Sequence, residues 1–141
     1  MTTITTATAT SNETGALMQV VKQFTDAQGA AMAKGITKPS DWDPVTEFVA
    51  VDEFKRVGAY LEEFDWTAYT QFLTDWAGGT RFEFDEFFVT EVGNSVFQEI
   101  AERHYHGDTI IKKNVIAVYR FNADNKIKHL DIYEQATDSG D

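Results

Sequence analysis

The chain has 141 residues, enough for one domain with a real core and too few for two. Its 23 acidic and 12 basic residues give a net charge of −11, which repels nucleic-acid phosphates and anionic lipid, so neither is an expected partner. There is no cysteine, which excludes disulfides and thiolate chemistry and is compatible with a cytoplasmic location, and no apolar run approaches the ~18 residues of a membrane span.

Aromatic residues make up 13% of the chain, with 11 Phe, 5 Tyr and 3 Trp. That is more than packing alone usually requires, and it suits a domain wrapped around an apolar or aromatic ligand. The plain alternative is an aromatic-rich core with no ligand.

Residues 1–10 are rich in Thr and Ala and carry no Lys or Arg, so they are expected to form a disordered tail and not a signal peptide. Thr10-Ser11-Asn12-Glu13 has the spacing of a capping box. After it Leu17, Val20, Val21 and Phe24 recur at helical spacing, predicting a first helix that stops at Gly35 with Pro39 beyond. Asp43-Pro44 is a second helix start, followed by Val45, Phe48 and Val49. The stretch from Val51 to Gly58 is less regular, and Ala59-Tyr60-Leu61 suggests a short edge strand. Asp65 caps a third helix that carries Trp66, Tyr69, Leu73 and Trp76 along one side and ends at Gly78-Gly79.

From Thr80 the period changes to two. Simple alternation places Phe82, Phe84, Phe88 and Thr90 on one face and Glu83, Asp85, Phe87 and Val89 on the other. Turns at Gly93-Asn94, Gly107-Asp108 and 123–125 divide the rest into strands over 96–106, 110–121 and 126–135, and residues 136–141 read as a frayed tail. Neighbouring strands joined by such short turns are antiparallel. The expected architecture is a single α+β domain over 11–135. A curved antiparallel sheet of four or five strands would wrap around three helices and leave a cone-shaped interior pocket.

Several residues within this frame carry chemistry. Asp131 stands between Leu130 and Ile132, and a carboxylate in an apolar strand is costly unless it is paired or used, which makes it a candidate acid/base. The bland reading is an outer sheet face on which Asp131 pairs with Lys112 or Lys113 across the strands. His129 shares its face and is a candidate proton partner. On the preceding hairpin, Arg103 and Tyr105 alternate with His104 and His106, so without a bulge only one pair can line a pocket. Apolar neighbours do not decide between them, since Val96 and Ile100 share the histidines' face while Phe97 and Ala101 share that of Arg103. Tyr60, Trp66, Tyr69, Trp76 and Phe88 are candidate walls for a substrate, although a Trp/Tyr/Leu/Trp stripe is more often core. The histidines with an acid could form a metal set, but a His-x-His pair in a strand is a weak signal and no metal is expected. The chain has no Gly-rich phosphate loop, and no cofactor is implied.

The run Val115-Ile116-Ala117-Val118-Tyr119-Arg120-Phe121, the turn at 122–125 and Lys126-Ile127 resemble the penultimate strand and last-strand opening of the nuclear transport factor 2-like superfamily. Within it, the resemblance is to SnoaL-like polyketide cyclases and limonene-epoxide-hydrolase-type enzymes, and it extends over about residues 15–135. His129-Leu130-Asp131-Ile132 is similar to the stretch in which SnoaL-like cyclases keep their acid/base aspartate. It is one residue closer to Ile127 than in that pattern, and a one-residue slip turns a strand side chain to the other face. Glu102-Arg103-His104-Tyr105 resembles the arginine-bearing segment of the epoxide hydrolases, with Tyr105 where they have a second aspartate.

The resemblance implies Arg103 and Tyr105 facing inward, with Asp131 as acid/base and Arg103, Tyr105 and His104 or His129 stabilising charge. It implies cofactor-independent isomerase, cyclase, dehydratase or lyase chemistry on a hydrophobic carbonyl- or phenol-bearing small molecule, in a homodimer. The alternatives are a non-catalytic binding or assembly module of the same fold, and an epoxide hydrolase.

Overall fold

The computed structural model describes residues 15–136, so the expected capping box at Thr10–Glu13 and both expected tails lie outside the described residues. Helix α1 spans Ala16–Lys34 and buries Leu17, Val21, Phe24 and Ala31. Its N-cap, Gly15, supplies no side chain. Instead Glu91, from a strand 70 and more residues away, accepts hydrogen bonds at Oε1 from the backbone N–H groups of Leu17 and Met18, each at 3.1 Å. A carboxylate there satisfies first-turn donors and complements the positive end of the helix.

The second helix is 3-10, not α, and spans Pro39–Phe48 instead of starting at Asp43-Pro44. Asp41 sets its start by accepting from the backbone N–H groups of Thr37 (2.8 Å) and Lys38 (3.1 Å), and these bonds hold its carboxyl below the usual range. Pro44 falls inside the segment, where it cannot donate, and the chain winds in short 3-10 turns. Trp42 and Val45 point from it into the core.

Strands β1 (Lys55–Val57) and β2 (Glu63–Phe64) pair antiparallel. The expected edge strand at Ala59–Leu61 is instead the turn between them, with Leu61 at φ 65° and its N–H bonded to the Gly58 carbonyl. Helix α2 spans Trp66–Ala77, and its N-cap Asp65 accepts from the Ala68 N–H at 2.8 Å as its side-chain type predicts. The long strands are β3 (Arg81–Val92), β4 (Ser95–His106), β5 (Thr109–Phe121) and β6 (Ile127–Ala136). Gly93 and Gly107, both at φ 61°, open the two-residue loops before β4 and β5, a conformation that suits glycine.

Six strands therefore form one curved, unclosed sheet in the order β2-β1-β6-β5-β4-β3. All neighbours are antiparallel except β1, which runs parallel to β6. The concave face buries Val96, Val115, Ala117, Tyr119 and Leu130 against Leu17, Val21, Phe24, Trp42 and Leu73.

One irregularity resets the alternation of β3. The register shifts between Glu86 and Phe88, leaving Phe87 as an extra residue. Phe82, Phe84, Glu86 and Val89 consequently oppose His104, Glu102, Ile100 and Gln98 on the concave face. Phe87 and Phe88 are turned outward, 51% and 40% exposed. Phe88 is thus not a pocket wall, because the bulge moves it to the other face.

Candidate active site

Between the helices and the concave face lies a cavity of about 740 Å³, within the range that holds small organic ligands. Its walls include Phe24, Trp42, Tyr69, Trp76, Phe82, Phe84, Ile100 and Ile132. Tyr69 and Trp76 line it as expected. Tyr60 does not: it is 73% exposed in the β1–β2 turn. Trp66 does not either, because it packs edge-on against Phe54 (5.1 Å between ring centroids) and Tyr69 (5.9 Å) within the core.

The polar groups of the cavity come from alternate positions on β4, β5 and β6. Strand β4 turns Gln98, Glu102 and His104 inward together with Val96 and Ile100. The Trp76 Nε1–H donates to His104 Nδ1 at 3.0 Å, and since an indole N–H can only donate, Nδ1 accepts. The imidazole proton is then on Nε2, which donates to Glu102 Oε1 at 2.8 Å. Both ring nitrogens are thus occupied, and His104 fixes the orientation of Glu102. Among the described residues no hydrogen bond reaches the second oxygen of that carboxylate. Rings of Trp76 and Phe82 stand edge-on to the imidazole, at 5.6 and 5.1 Å.

Deeper along β4, the buried Tyr119 hydroxyl donates to Gln98 Oε1 at 3.1 Å, and Gln98 Nε2 donates to Glu86 Oε2 at 2.9 Å. Burial pushes the Tyr119 hydroxyl far up, so it stays a neutral donor. Lys113 on β5 stands across from Glu102, and its Nζ lies 3.5 Å from Glu134 Oε1 on β6. Glu102, Lys113, Glu134 and Gln98 were not singled out from the sequence. For Gln98 and Glu102 the available signal was the alternation of β4, which sets them on one face with Val96 and Ile100, but Phe97 and Ala101 on the other face balance it.

The remaining expected site residues lie on the other face. Asp131 pairs with Val118 in register and points away from the cavity. Its carboxylate takes His129 Nε2 at 2.8 Å and Arg120 Nε at 3.3 Å. The expected cross-strand pairing occurs, but with Arg120 and not with Lys112 or Lys113. The inward positions of β6 are Leu130, Ile132 and Glu134: the register shifts between Arg120 and Phe121, leaving Lys128 as an extra residue between Ile127 and His129, and this bulge turns Asp131 to the other face.

Arg103 and Tyr105 likewise face outward, contrary to what the resemblance implied. Arg103 borders the cavity, but its guanidinium is engaged by Glu83 Oε1 (3.3 Å) and Asp85 Oδ2 (3.2 Å). Tyr105 donates to Glu83 Oε1 at 3.0 Å and holds the Arg81 guanidinium over its ring at 3.7 Å. That hydroxyl, followed by Arg103, keeps the Glu83 carboxyl below the usual range. His104 and His129 are on opposite faces and cannot meet at one ion. No cluster of three potential metal ligands occurs among the described residues.

The curled sheet, the helices packed on its concave side and the internal cavity together define a nuclear transport factor 2-like α+β fold. Among solved structures, a protein named for SnoaL-like polyketide cyclases, from Jannaschia sp., aligns with a TM-score of 0.69 at 14% identity, covering 92% of each chain. An LEH-like epoxide hydrolase of M. tuberculosis aligns at 0.65 and 17% identity, over 84% of this chain and 82% of its own. The BvnE pinacolase of Penicillium brevicompactum aligns at 0.65 and 10% identity, over 84% and 85%. At these identities the likeness is one of fold. No family model matches the chain, and no curated protein sequence matches it. Among the described residues no helix is long and apolar enough to cross a membrane.

Proposed function

We propose that this protein is an acid/base catalyst of the isomerase, cyclase, dehydratase or lyase type, acting without a cofactor on a hydrophobic carbonyl- or phenol-bearing small molecule. The observation that carries the reading is Glu102: a carboxylate lining an aromatic cavity, with one oxygen held by His104 and, among the described residues, no hydrogen bond to the other. A pure binding module needs only the apolar walls, and a buried carboxylate costs stability there unless it has a use. Glu102 would remove a proton next to a carbonyl and return it elsewhere. The neutral imidazole would hold the carboxylate in place, and the chamber would exclude water. The named activities of the neighbours, an epoxide hydrolase and a pinacolase among them, are compatible with such chemistry in this fold.

The test is deuterium exchange. Incubated in D2O with a bicyclic ketone such as 2-tetralone, the protein is expected to label the α carbon faster than buffer alone, read by NMR. Asp131→Asn should keep that rate, because Asp131 faces away from the cavity. Exchange at the buffer rate across a panel of such ketones, or its loss in Asp131→Asn with the fold intact, would sink the proposal.

Epoxide hydrolysis is a second reading, favoured by the carboxylate–ammonium–carboxylate row of Glu102, Lys113 and Glu134. Solvent oxygen in the product would mark it. The proposal also includes a homodimer through the convex sheet face, where Phe88, Ile110 and Tyr133 are 40%, 49% and 58% exposed. Sedimentation equilibrium should return twice the chain mass, and a monomer at micromolar concentration would refute it.

A further inference from the structure

Arg56 on β1 stands in register with the inward-facing Leu130 of β6 and so borders the same cavity as Glu102. Its side chain is 13% exposed. The guanidinium carbon lies over the rings of Phe72, Tyr69 and Phe64, at 5.2, 5.6 and 5.8 Å from their centroids. Those contacts stabilise the cation but offer its N–H groups no acceptor. Nε and Nη1 are both buried, and neither has a hydrogen-bond partner among the described residues. The carboxylate paired with it, Glu62, approaches Nη1 only to 3.5 Å, is 39% exposed, and accepts the Tyr60 backbone N–H at its other oxygen.

Of the other cations bordering the cavity, Arg103 is engaged by Glu83 and Asp85 and the His104 ring is used at both nitrogens. Lys113 is as far from Glu134 as Arg56 is from Glu62, 3.5 Å, but unlike Arg56 it has no buried donor without a partner among the described residues. Nη2 is not among the enclosed atoms, and a guanidinium with an unbonded, unenclosed nitrogen at a cavity wall is suited to an incoming anion. Arg56, Tyr69 and Glu102 all line this one cavity.

We propose that Arg56 is the anion-recognition residue of this cavity and that the substrate is a hydrophobic carboxylic acid, bound as its carboxylate. This deepens the acid/base reading above and rests on the same cavity being the site. The carboxylate would take Arg56 at Nη2, the guanidinium nitrogen that is not enclosed, the apolar body would lie along the aromatic walls, and the reacting carbon would be presented to Glu102. The protein's net charge of −11 disfavours anions in general, so any preference for one must come from such local donors.

The probes are naphthalene-2-carboxylate and its methyl ester, titrated against the full chain while tryptophan fluorescence is followed, since Trp42 and Trp76 line the cavity. The wild-type protein is expected to bind the acid about 10–100-fold more tightly than the ester, as one charge-assisted contact predicts. Arg56→Met should abolish that preference while ester affinity holds. Glu62→Gln removes the competing carboxylate and should tighten acid binding several-fold, and it tests the idea without touching the arginine if Arg56→Met does not fold. Equal affinity for acid and ester, or a preference that survives Arg56→Met, overturns the inference. Absence of the preference in the wild-type protein alongside intact proton exchange defeats this inference alone. A preference without exchange defeats the acid/base reading and leaves Arg56 as a binding residue.

Discussion

Glu102→Gln is expected to lower the α-proton exchange rate by about 10²–10⁴-fold, the usual contribution of a positioned general base. The substitution is nearly isosteric, and the amide oxygen can still accept from His104 Nε2, now 2.8 Å from Glu102 Oε1. Melting temperature should therefore hold while the rate collapses. His104→Phe separates the two roles. It leaves Glu102 in place but unheld, and deprives the Trp76 Nε1–H of its acceptor at 3.0 Å. An unpaired buried donor costs about 1–3 kcal/mol, so this variant should lose stability and only part of the rate. A Glu102→Gln variant that exchanges protons at the wild-type rate would remove Glu102 from the chemistry and return the cavity to a binding role.

Trp42→Ala is expected to destabilise the fold by about 3–5 kcal/mol, a large fraction of what a domain of this size has. Trp42 is 1% exposed, lies on the 3-10 helix between α1 and α2, and donates from Nε1 to Thr74 Oγ1 at 3.1 Å. Its removal deletes the largest fully buried side chain and leaves a void that continues into the cavity. Urea unfolding at fixed pH measures the loss as a lower midpoint. Thr74→Val leaves the ring packed and the indole donor unpaired, removes as well the bond from the Thr74 hydroxyl to the Thr70 carbonyl at 2.6 Å, and should cost about 1–3 kcal/mol. An unchanged midpoint in Trp42→Ala would mean that the 3-10 helix does not contribute to the cooperative core.

Elements that depend on near neighbours were legible in the residues themselves. Asp65 and Gly78-Gly79 bracket α2 because an N-cap carboxylate and a helix-ending glycine act within one turn of the chain. The four long strands follow from period-two patterning, and their antiparallel order follows from two- to five-residue turns that leave the chain no other return path. The fold class, and with it the existence of an aromatic-lined cavity, came from these local signals.

The site was decided elsewhere. Alternation along β4 offers two faces, each with apolar members, and only the packing of Val96 and Ile100 against the helices turns Glu102 and His104 inward and Arg103 and Tyr105 outward. The bulge at Phe87 reverses Phe88, and a second bulge at Lys128 moves Asp131 to the convex face, because a strand side chain has only two directions and any slip exchanges them. Arg56 carries no local mark at all. It enters the cavity because β1 docks parallel to β6, a contact across more than 70 residues of sequence, where long-range burial and not neighbouring residues sets the pairing. The sequence by itself determined α1, α2 and the four long strands and their order; tertiary packing set the 3-10 helix and the short strands β1 and β2, chose the face, and with the face, the chemistry.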